Sequence, residues 1–291
     1  MARQRYSDFL KQLYGMRVQK LNVNAGFSCP NRDGSLSHGG CIYCNNSSFT
    51  PAFSNSSATV THQLLEGKNF YNGKYADMKY LAYFQSFTGT YAPVEKLSAL
   101  YNEALAVPDV VGLVISTRPD CLSDEVLDLL QGINVTHKVI VEIGVETIHE
   151  RTLALINRCH SGQCAMEAIG RVAKRGLTVG AHLILGLPGE TKDDMMATVD
   201  EIAKLPVNSI KFHQMQVLRG TELARQWERG ELKLIDWTAQ EYAAFCHRVF
   251  EHLPPNITIE RMVSMAPPNL LLHPHWGLKP AQFKALFDDL Y

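Results

Sequence analysis

VVGLVISTRPDCLSDEVLDLLQG, residues 110–132, contains the unit from which the chain is built. Val110–Thr117 is a nearly unbroken β-branched, apolar run, the pattern of a strand buried on both faces. A polar tip, Arg118-Pro119-Asp120-Cys121, follows it. Ser123 then serves as N-cap for the helix DEVLDLLQG, which stops at Gly132. The same strand–tip–helix order recurs on both sides. Upstream, MRVQKLNVNA (16–25) reads as a first strand with a helix at Thr61–Tyr71, after a short helix over 5–14. MKYLAYFQS (78–86) reads as a second strand with a helix at Pro93–Leu105. Downstream, KVIVEIGV (138–145) precedes a helical region from Ile148 to Gly176 that breaks near Ser161–Gly162. LTVGAHLILG (177–186) leads to a helix entered by Thr191-Lys192-Asp193-Asp194, a capping-box pattern, and VNSIKFHQM (207–215) leads to TELARQWERG. Strand then helix, six times over, predicts a parallel sheet with crossover helices. The pattern alone leaves open whether the sheet curls into a barrel or opens into a doubly wound layer. In either case ligands sit at the C-terminal ends of the strands.

The chemistry-bearing residues gather at those ends. NVNAGFSCPNRDGSLSHGGCIYCNN, residues 22–46, follows strand one and places Cys29, Cys41 and Cys44 in a C-x11-C-x2-C pattern within a Gly-, Ser- and Asn-rich loop. Three thiolates hold three irons of a [4Fe–4S] cubane and leave the fourth open to another ligand. Open coordination marks a catalytic metal. On the residues alone two other readings stand: a zinc site completed by His38, as C-x8-H-x2-C-x2-C, and no metal at all. Further polar tips are Gln85–Thr88, Ser116–Asp120, Glu146 and the turn Gly186–Glu190.

Composition bounds the rest. The chain has 291 residues, 46% of them apolar, enough for one large α/β barrel or two smaller domains with a sizeable core. No run of 18 apolar residues suggests a membrane span, and MARQRYSDFLKQLYG lacks a signal-peptide core. Seven unevenly spaced cysteines point to a reducing cytoplasm. Net charge is −1, so no general field attracts nucleic acid. The N-terminal set Arg3, Arg5, Lys11, Arg17 and Lys20 faces only Asp8, and reads either as a phosphate-docking patch or as a solvated helix. The expected organisation is an N-terminal basic helix (1–16), a barrel (17–235) and a C-terminal extension packed on it (236–291). That extension reads as one helix, one strand NITIERMVS, an irregular Pro- and His-rich loop over 264–280 and a final helix to Tyr291. Cys121, Cys159, Cys164 and Cys246 read as packing thiols, His182 as a core or lining residue, and Met262 and Met265 as filler under the C-terminal loop.

The three cysteines after a first strand, the six βα units and the glycine-rich turn after strand five together resemble the radical S-adenosylmethionine (SAM) superfamily. The long first gap departs from its usual C-x3-C-x2-C. CPNRDGSLSHGGCIYCN, STRPDCLSDEVLDLL, HLILGLPGET and MAPPNLLLHPHWGLK resemble the YhcC/YtqA group of that superfamily across essentially the whole chain. STRPD and GLPGE also resemble the radical SAM domain of the Elongator catalytic subunit, which acts on tRNA wobble uridine. The resemblance implies an α/β fold, a partial (β/α)6 barrel open on one side. It implies a [4Fe–4S] cluster on Cys29, Cys41 and Cys44, with SAM on the fourth iron and reductive cleavage to a 5′-deoxyadenosyl radical. By the same resemblance Tyr43 borders adenine. Ser86, Phe87 and Thr88 align with the GGE-like turn that binds the methionine amino group, without its glycines. Glu146 aligns with a SAM contact, Arg158 with the arginine that pairs the SAM carboxylate, and Ile184, Gly186 and Met215 with adenine contacts. The implied activity is conversion of a carboxymethylaminomethyl to an aminomethyl substituent on tRNA wobble uridine. Alternatives are radical chemistry on a small metabolite or protein, and a zinc-stabilised RNA-binding module. The implied partners are tRNA and an electron donor such as flavodoxin or ferredoxin. The N-terminal arginines and lysine, with Arg32, are expected to meet phosphates near the mouth, and Arg118 is expected to act deeper, on a carboxylate of the modified base.

Overall fold

The computed structural model describes residues 4–51, 53–71 and 77–289; Arg3 and Tyr291 therefore lie outside the described residues. The elements run α1 (Tyr6–Tyr14), β1 (Val18–Val23), α2 (Val60–Tyr71), β2 (Lys79–Phe84), α3 (Val94–Leu105), β3 (Val110–Thr117), α4 (Asp124–Asn134) and β4 (Lys138–Glu146). They continue with α5 (Glu150–Leu155), α6 (Gly162–Lys174), β5 (Thr178–Leu185), α7 (Lys192–Ala203), β6 (Ser209–Gln214), β7 (Val217–Leu218) and α8 (Glu222–Glu228). The last are α9 (Ala239–His252), β8 (Thr258–Arg261), β9 (Leu271–His273) and α10 (Pro280–Asp288). Local rules account for the boundaries. Ser123 accepts the Val126 N–H as N-cap of α4, and Thr191 with Asp194 forms the capping box of α7.

One seven-stranded sheet, in the order β1-β2-β3-β4-β5-β6-β8 and parallel throughout, forms the wall. The order never doubles back, so the crevice of a doubly wound sheet does not arise. Six inter-strand spacings would separate the edges of a flat sheet by roughly 29 Å. Instead Lys20 Nζ on β1 lies 2.8 Å from Glu260 Oε2 on β8 and 2.5 Å from Glu142 Oε1 on β4. The sheet therefore curls into a partial barrel whose edges face each other. Arg5 adds a parallel bridge to Ile259 on the open edge of β8.

Side-chain alternation sorts the strands into two faces. Leu21, Phe84, Ile115, Val141 and Val179 face out and bury the apolar stripes of the helices. Leu81, Tyr83, Val114 and Ile140 face in, where Leu10, Phe9, Leu13 and Tyr14 of α1 pack on them. Tyr14 Oη donates to the carbonyl of Lys138, the first residue of β4. Helix α1 thus plugs the N-terminal end of the barrel. This corrects the expectation that Arg5, Lys11 and Arg17 stand at the mouth: Arg5 and Lys11 belong to the plug, placed there by the amphipathic pattern of α1, and Arg17 enters β1 at the same end of the barrel.

Four other expectations change. Helix α4 runs past Gly132 to Asn134. The break in the 148–176 region spans Ile156 to Ser161, because Asn157 and Cys159 adopt left-handed backbone. The strand expected in the extension, β8, joins the main sheet beside β6. Within the 264–280 loop, β9 pairs antiparallel with β7. Among the described residues no helix is long and apolar enough to cross a membrane.

Candidate active site

The strand tips surround a cleft with a cavity volume of about 180 Å³. Cys29, Cys41 and Cys44 lie on its wall, as do Tyr43, Phe87, Thr88, Arg118, Glu146, Arg158 and Met215. Ser86, Ile184 and Gly186 are not on that wall. Ser86 is buried beside Thr50, and Ile184 packs with Ile42, Ile156, Leu187 and Met215 behind the cleft. Gly186, at φ +90°, brings its backbone against Trp237, and a Cβ there would lie 3.1 Å from the indole nitrogen.

The cysteine loop is pinned at both ends. Arg32 N donates to Cys29 O at 2.8 Å, and Cys44 N donates to Cys41 O at 2.9 Å. Ile42 anchors the tight C-x2-C turn through Ile42 N to Ile156 O, 3.1 Å, and Leu223 N to Ile42 O, 2.8 Å. Arg32 crosses the face of Gly40, where a Cβ would meet Arg32 Nε at 2.9 Å, and donates to Cys44 O at 2.8 Å. Burial opposes its charge, but the surrounding Cys44, Cys29 and Cys41 sulfurs outweigh that and hold the Arg32 guanidinium protonated. Further donors point at sulfur: Asn31 Nδ2 and Arg158 Nη1 to Cys41 Sγ, at 3.6 and 3.5 Å, and Asn46 Nδ2 to Cys44 Sγ at 3.8 Å. His38 stacks on Gly34 within the loop, where a Cβ would meet its ring at 2.7 Å, and is not on the cleft wall. The four-residue zinc set is therefore not assembled. Three thiols ringed by N–H donors suit an anionic iron–sulfur cluster, whose sulfurs accept such bonds.

Arg158 reaches the cleft from the α5–α6 connection, not from a helix. Left-handed Asn157 and Cys159 on either side (φ 53° and 60°) turn it inward. Its guanidinium pairs Glu146 Oε1 at 3.1 Å, donates to Gly144 O, and donates from Nε to His160 Nε2 at 2.9 Å. Burial holds His160 near 3, so it accepts as a neutral ring. Gly144 makes room: a Cβ there would stand 2.5 Å from Arg158 Nη2. Glu146 follows an irregularity in the β4–β5 register and has φ 66°, an uncommon backbone for a side-chain-bearing residue. Burial pushes the Glu146 carboxyl up, against the pull of Arg158. Phe87 at the β2 tip also has positive φ, 60°, and donates its N–H to Asn46 Oδ1 at 3.1 Å. Phenylalanine thus occupies backbone that glycine adopts freely.

Arg118 is less free than its position in the sequence suggested. Nε and Nη2 fork onto Asp120 at 2.9 and 2.8 Å, and Nη2 also donates to Arg158 O. Only Nη1, buried and without a partner, remains. Thr88 Oγ1, Glu146 Oε2 and His182 Nε2 are likewise buried on this wall without hydrogen-bond partners. Unpaired buried polar atoms are rare in native proteins, and their convergence on one cleft marks the seat of a polar ligand. Met265, expected as filler, is 49% exposed at the rim with Phe49 (38%) and Phe87 (37%).

Sequence reasoning missed the cleft floor, and it misplaced Lys20: counted with the N-terminal basic set, Lys20 instead points into the barrel and pairs with Glu142 and Glu260. Lys20 and Lys211 interleave with Glu142 and Glu260, and Tyr83 Oη donates to Glu142 Oε2 at 2.6 Å. Burial opposes ionisation of Glu142, yet the two lysines outweigh it and hold its carboxyl well below the usual range. The signal was Glu142, a carboxylate in the middle of the apolar run of β4, which needs a buried partner.

A partial barrel with three cysteines on the loop after its first strand defines a radical SAM enzyme. The family model described as the Radical SAM superfamily matches residues 29–202, and the Radical_SAM C-terminal domain matches 207–290. YtqA of Bacillus subtilis is 39% identical over 269 residues, 92% of this chain and 83% of its own length. A tRNA uridine(34) acetyltransferase of Methanocaldococcus infernus is 33% identical over 126 residues, 42% of this chain and 23% of that protein. The structure of the archaeal Methanocaldococcus infernus Elp3 overlays with a TM-score of 0.70 at 19% identity, covering 94% of this chain and 62% of that one. The chain spans less than two thirds of that solved relative. The protein belongs to the radical SAM superfamily, whose cofactors are a [4Fe–4S] cluster and S-adenosylmethionine.

Proposed function

We propose that the enzyme acts on the side chain of a modified tRNA wobble uridine, converting a carboxymethylaminomethyl to an aminomethyl substituent. The observation that carries this reading is the rim. Exposed Phe49, Phe87 and Met265 flank the mouth, with the Arg32 guanidinium 5.9 Å from the Phe87 ring. Exposed aromatic faces beside an arginine are how proteins stack a splayed-out base. The likeness to a tRNA uridine(34) acetyltransferase supports the same substrate class.

In this reading Cys29, Cys41 and Cys44 hold three irons of the cluster and leave one open. When bound, the cluster and SAM supply one-electron, hydrogen-abstracting chemistry. The protein's share is placement. Arg32, Asn31 and Asn46 direct N–H groups at the sulfurs or their loop. Arg158 and Glu146 orient the charged end of SAM, with Thr88 beside them at the β2 tip. Tyr43 and Met215 border its adenine, backed by Ile184 and Gly186. Arg118, pinned to Asp120 and to the Arg158 carbonyl, positions Arg158 and offers one remaining N–H. Gln214 and Gln216 both donate to Ser264 O, which ties the 264–280 loop over the rim.

The test is anaerobic turnover with tRNA from cells lacking this gene, followed by nucleoside mass spectrometry. The expected result is loss of carboxymethylaminomethyluridine and gain of aminomethyluridine, with one 5′-deoxyadenosine and one glyoxylate per turnover: the carboxymethyl carbon is oxidised by two electrons as SAM is reduced to methionine and 5′-deoxyadenosine, and water completes cleavage of the C–N bond. If that tRNA is left unchanged while SAM is cleaved, the substrate is a small metabolite or a protein.

A further inference from the structure

Among the described residues, every cation on the cleft wall except Arg261 is engaged by a carboxylate or, for Arg32, by a hydrogen bond to the Cys44 carbonyl. Arg158 pairs with Glu146, Arg118 with Asp120, and Lys211 with Glu142 and Glu260. Arg32 stands among the three cysteine sulfurs. Arg261 lines the same cleft, makes no ion pair, and buries its Nε without a hydrogen-bond partner. Its neighbours do not answer it. Burial holds His213 near 3 and His182 well below its ordinary value, so both rings are neutral.

The backbone places this surplus charge deliberately. Along β8, Ile259 pairs with Ile210 and Arg261 with Lys211, so Glu260 is an extra residue in the ladder. Successive residues of a regular strand point to opposite faces, and a bulge re-aims one of them. Here both Glu260 and Arg261 face the lumen: Glu260 closes the lysine network, and Arg261 lines the cleft. A regular β8 would have sent one of the two outward.

We propose that Arg261 is the receptor for a carboxylate of the substrate. Resting on the tRNA reading above, that group is the carboxymethyl terminus lost in the reaction. A planar guanidinium with an unspent Nε–H matches a carboxylate with two parallel hydrogen bonds. The receptor holds the substrate by the part that the product lacks, so it separates carboxymethylaminomethyluridine from aminomethyluridine.

Two measurements on the cluster-loaded enzyme test this. The first uses N-methylglycine, the free counterpart of the side-chain terminus, with methylamine as the probe lacking a carboxylate. N-methylglycine should bind, methylamine should not, and Arg261→Met should weaken N-methylglycine by roughly ten- to a hundredfold, as loss of charge-assisted hydrogen bonds requires. The second is kinetic. Arg261→Met should raise KM for tRNA bearing carboxymethylaminomethyluridine by a similar factor. SAM affinity should stay at its parent value, Arg261→Lys should restore part of the loss, and the Met variant should melt no lower than the parent, since it removes an unpaired cation. N-methylglycine that fails to bind the parent, or binds Arg261→Met equally well, overturns the proposal, and so does a lowered melting temperature with unchanged KM. Carboxylate binding that depends on Arg261 in an enzyme inert toward tRNA would overturn the tRNA reading while leaving the receptor in place.

Discussion

The two ends of the barrel follow opposite rules. Below the cleft, α1 fills the opening with Leu10, Phe9 and Leu13, and just above it Lys20, Glu142, Lys211 and Glu260 neutralise one another. At the strand tips Thr88, Arg118 and Glu146, and on the β5 wall just below them His182, bury polar atoms without partners, and Phe87, Glu146, Asn157 and Cys159 have positive φ. The nearly satisfied end, where Tyr6 Oη of α1 is an exception, holds the fold together. The unsatisfied end keeps hydrogen bonds and backbone strain in reserve for ligands, which is where strain is usually found.

The largest expected effect comes from breaking the satisfied side. Glu142→Leu leaves two buried lysines short of a partner and should lower unfolding free energy by about 3–5 kcal/mol, read from denaturant unfolding. The pH dependence has a definite sign. Glu142 has a depressed folded pKa, so its stabilisation is complete above its unfolded value of about 4.3 and is lost as pH falls through the folded value. Glu142→Gln should therefore flatten the acid limb of a melting-temperature profile below about pH 4.3.

On the unsatisfied side, Arg158→Ala should weaken SAM roughly ten- to a hundredfold while iron content stays at the parent value. Equilibrium dialysis against labelled SAM checks this, and unchanged affinity would remove Arg158 from the cofactor site. A smaller effect is expected at Phe87. Replacing it with glycine relieves positive φ and should change stability by no more than about 1 kcal/mol, yet weaken tRNA binding through the lost ring. The smallest effect marks the contrast itself. Arg5→Ala with Lys11→Ala, on the plug, should leave tRNA affinity and its salt dependence unchanged, whereas Arg32→Ala at the rim should reduce both.

The sequence carried the βα units well because each strand and cap obeys local rules: β-branched runs, Ser123, Thr191 with Asp194. The cysteine loop was legible by its spacing. The turn that aims Arg158 was not, since Asn157 tolerates left-handed backbone but nothing announces the second left-handed residue, Cys159. Nor was the seventh strand's place in the sheet, or the pairing of Lys20 with Glu142 across 122 positions, because both depend on how far the sheet curls. Arg118 stood out at a strand tip, yet its fork is taken up by Asp120 two residues on. The unanswered cation, Arg261, lay in a strand whose bulge only the folded register reveals.

Anaerobic reconstitution of the parent and of the three single variants Cys29→Ala, Cys41→Ala and Cys44→Ala, with iron, sulfide and zinc quantified, tests the cleft most directly. The expected result is close to four irons per chain in the parent, loss of the cluster in each cysteine variant, and retention in His38→Ala. Stoichiometric zinc in the anaerobically purified parent, with no uptake of iron, would contradict it.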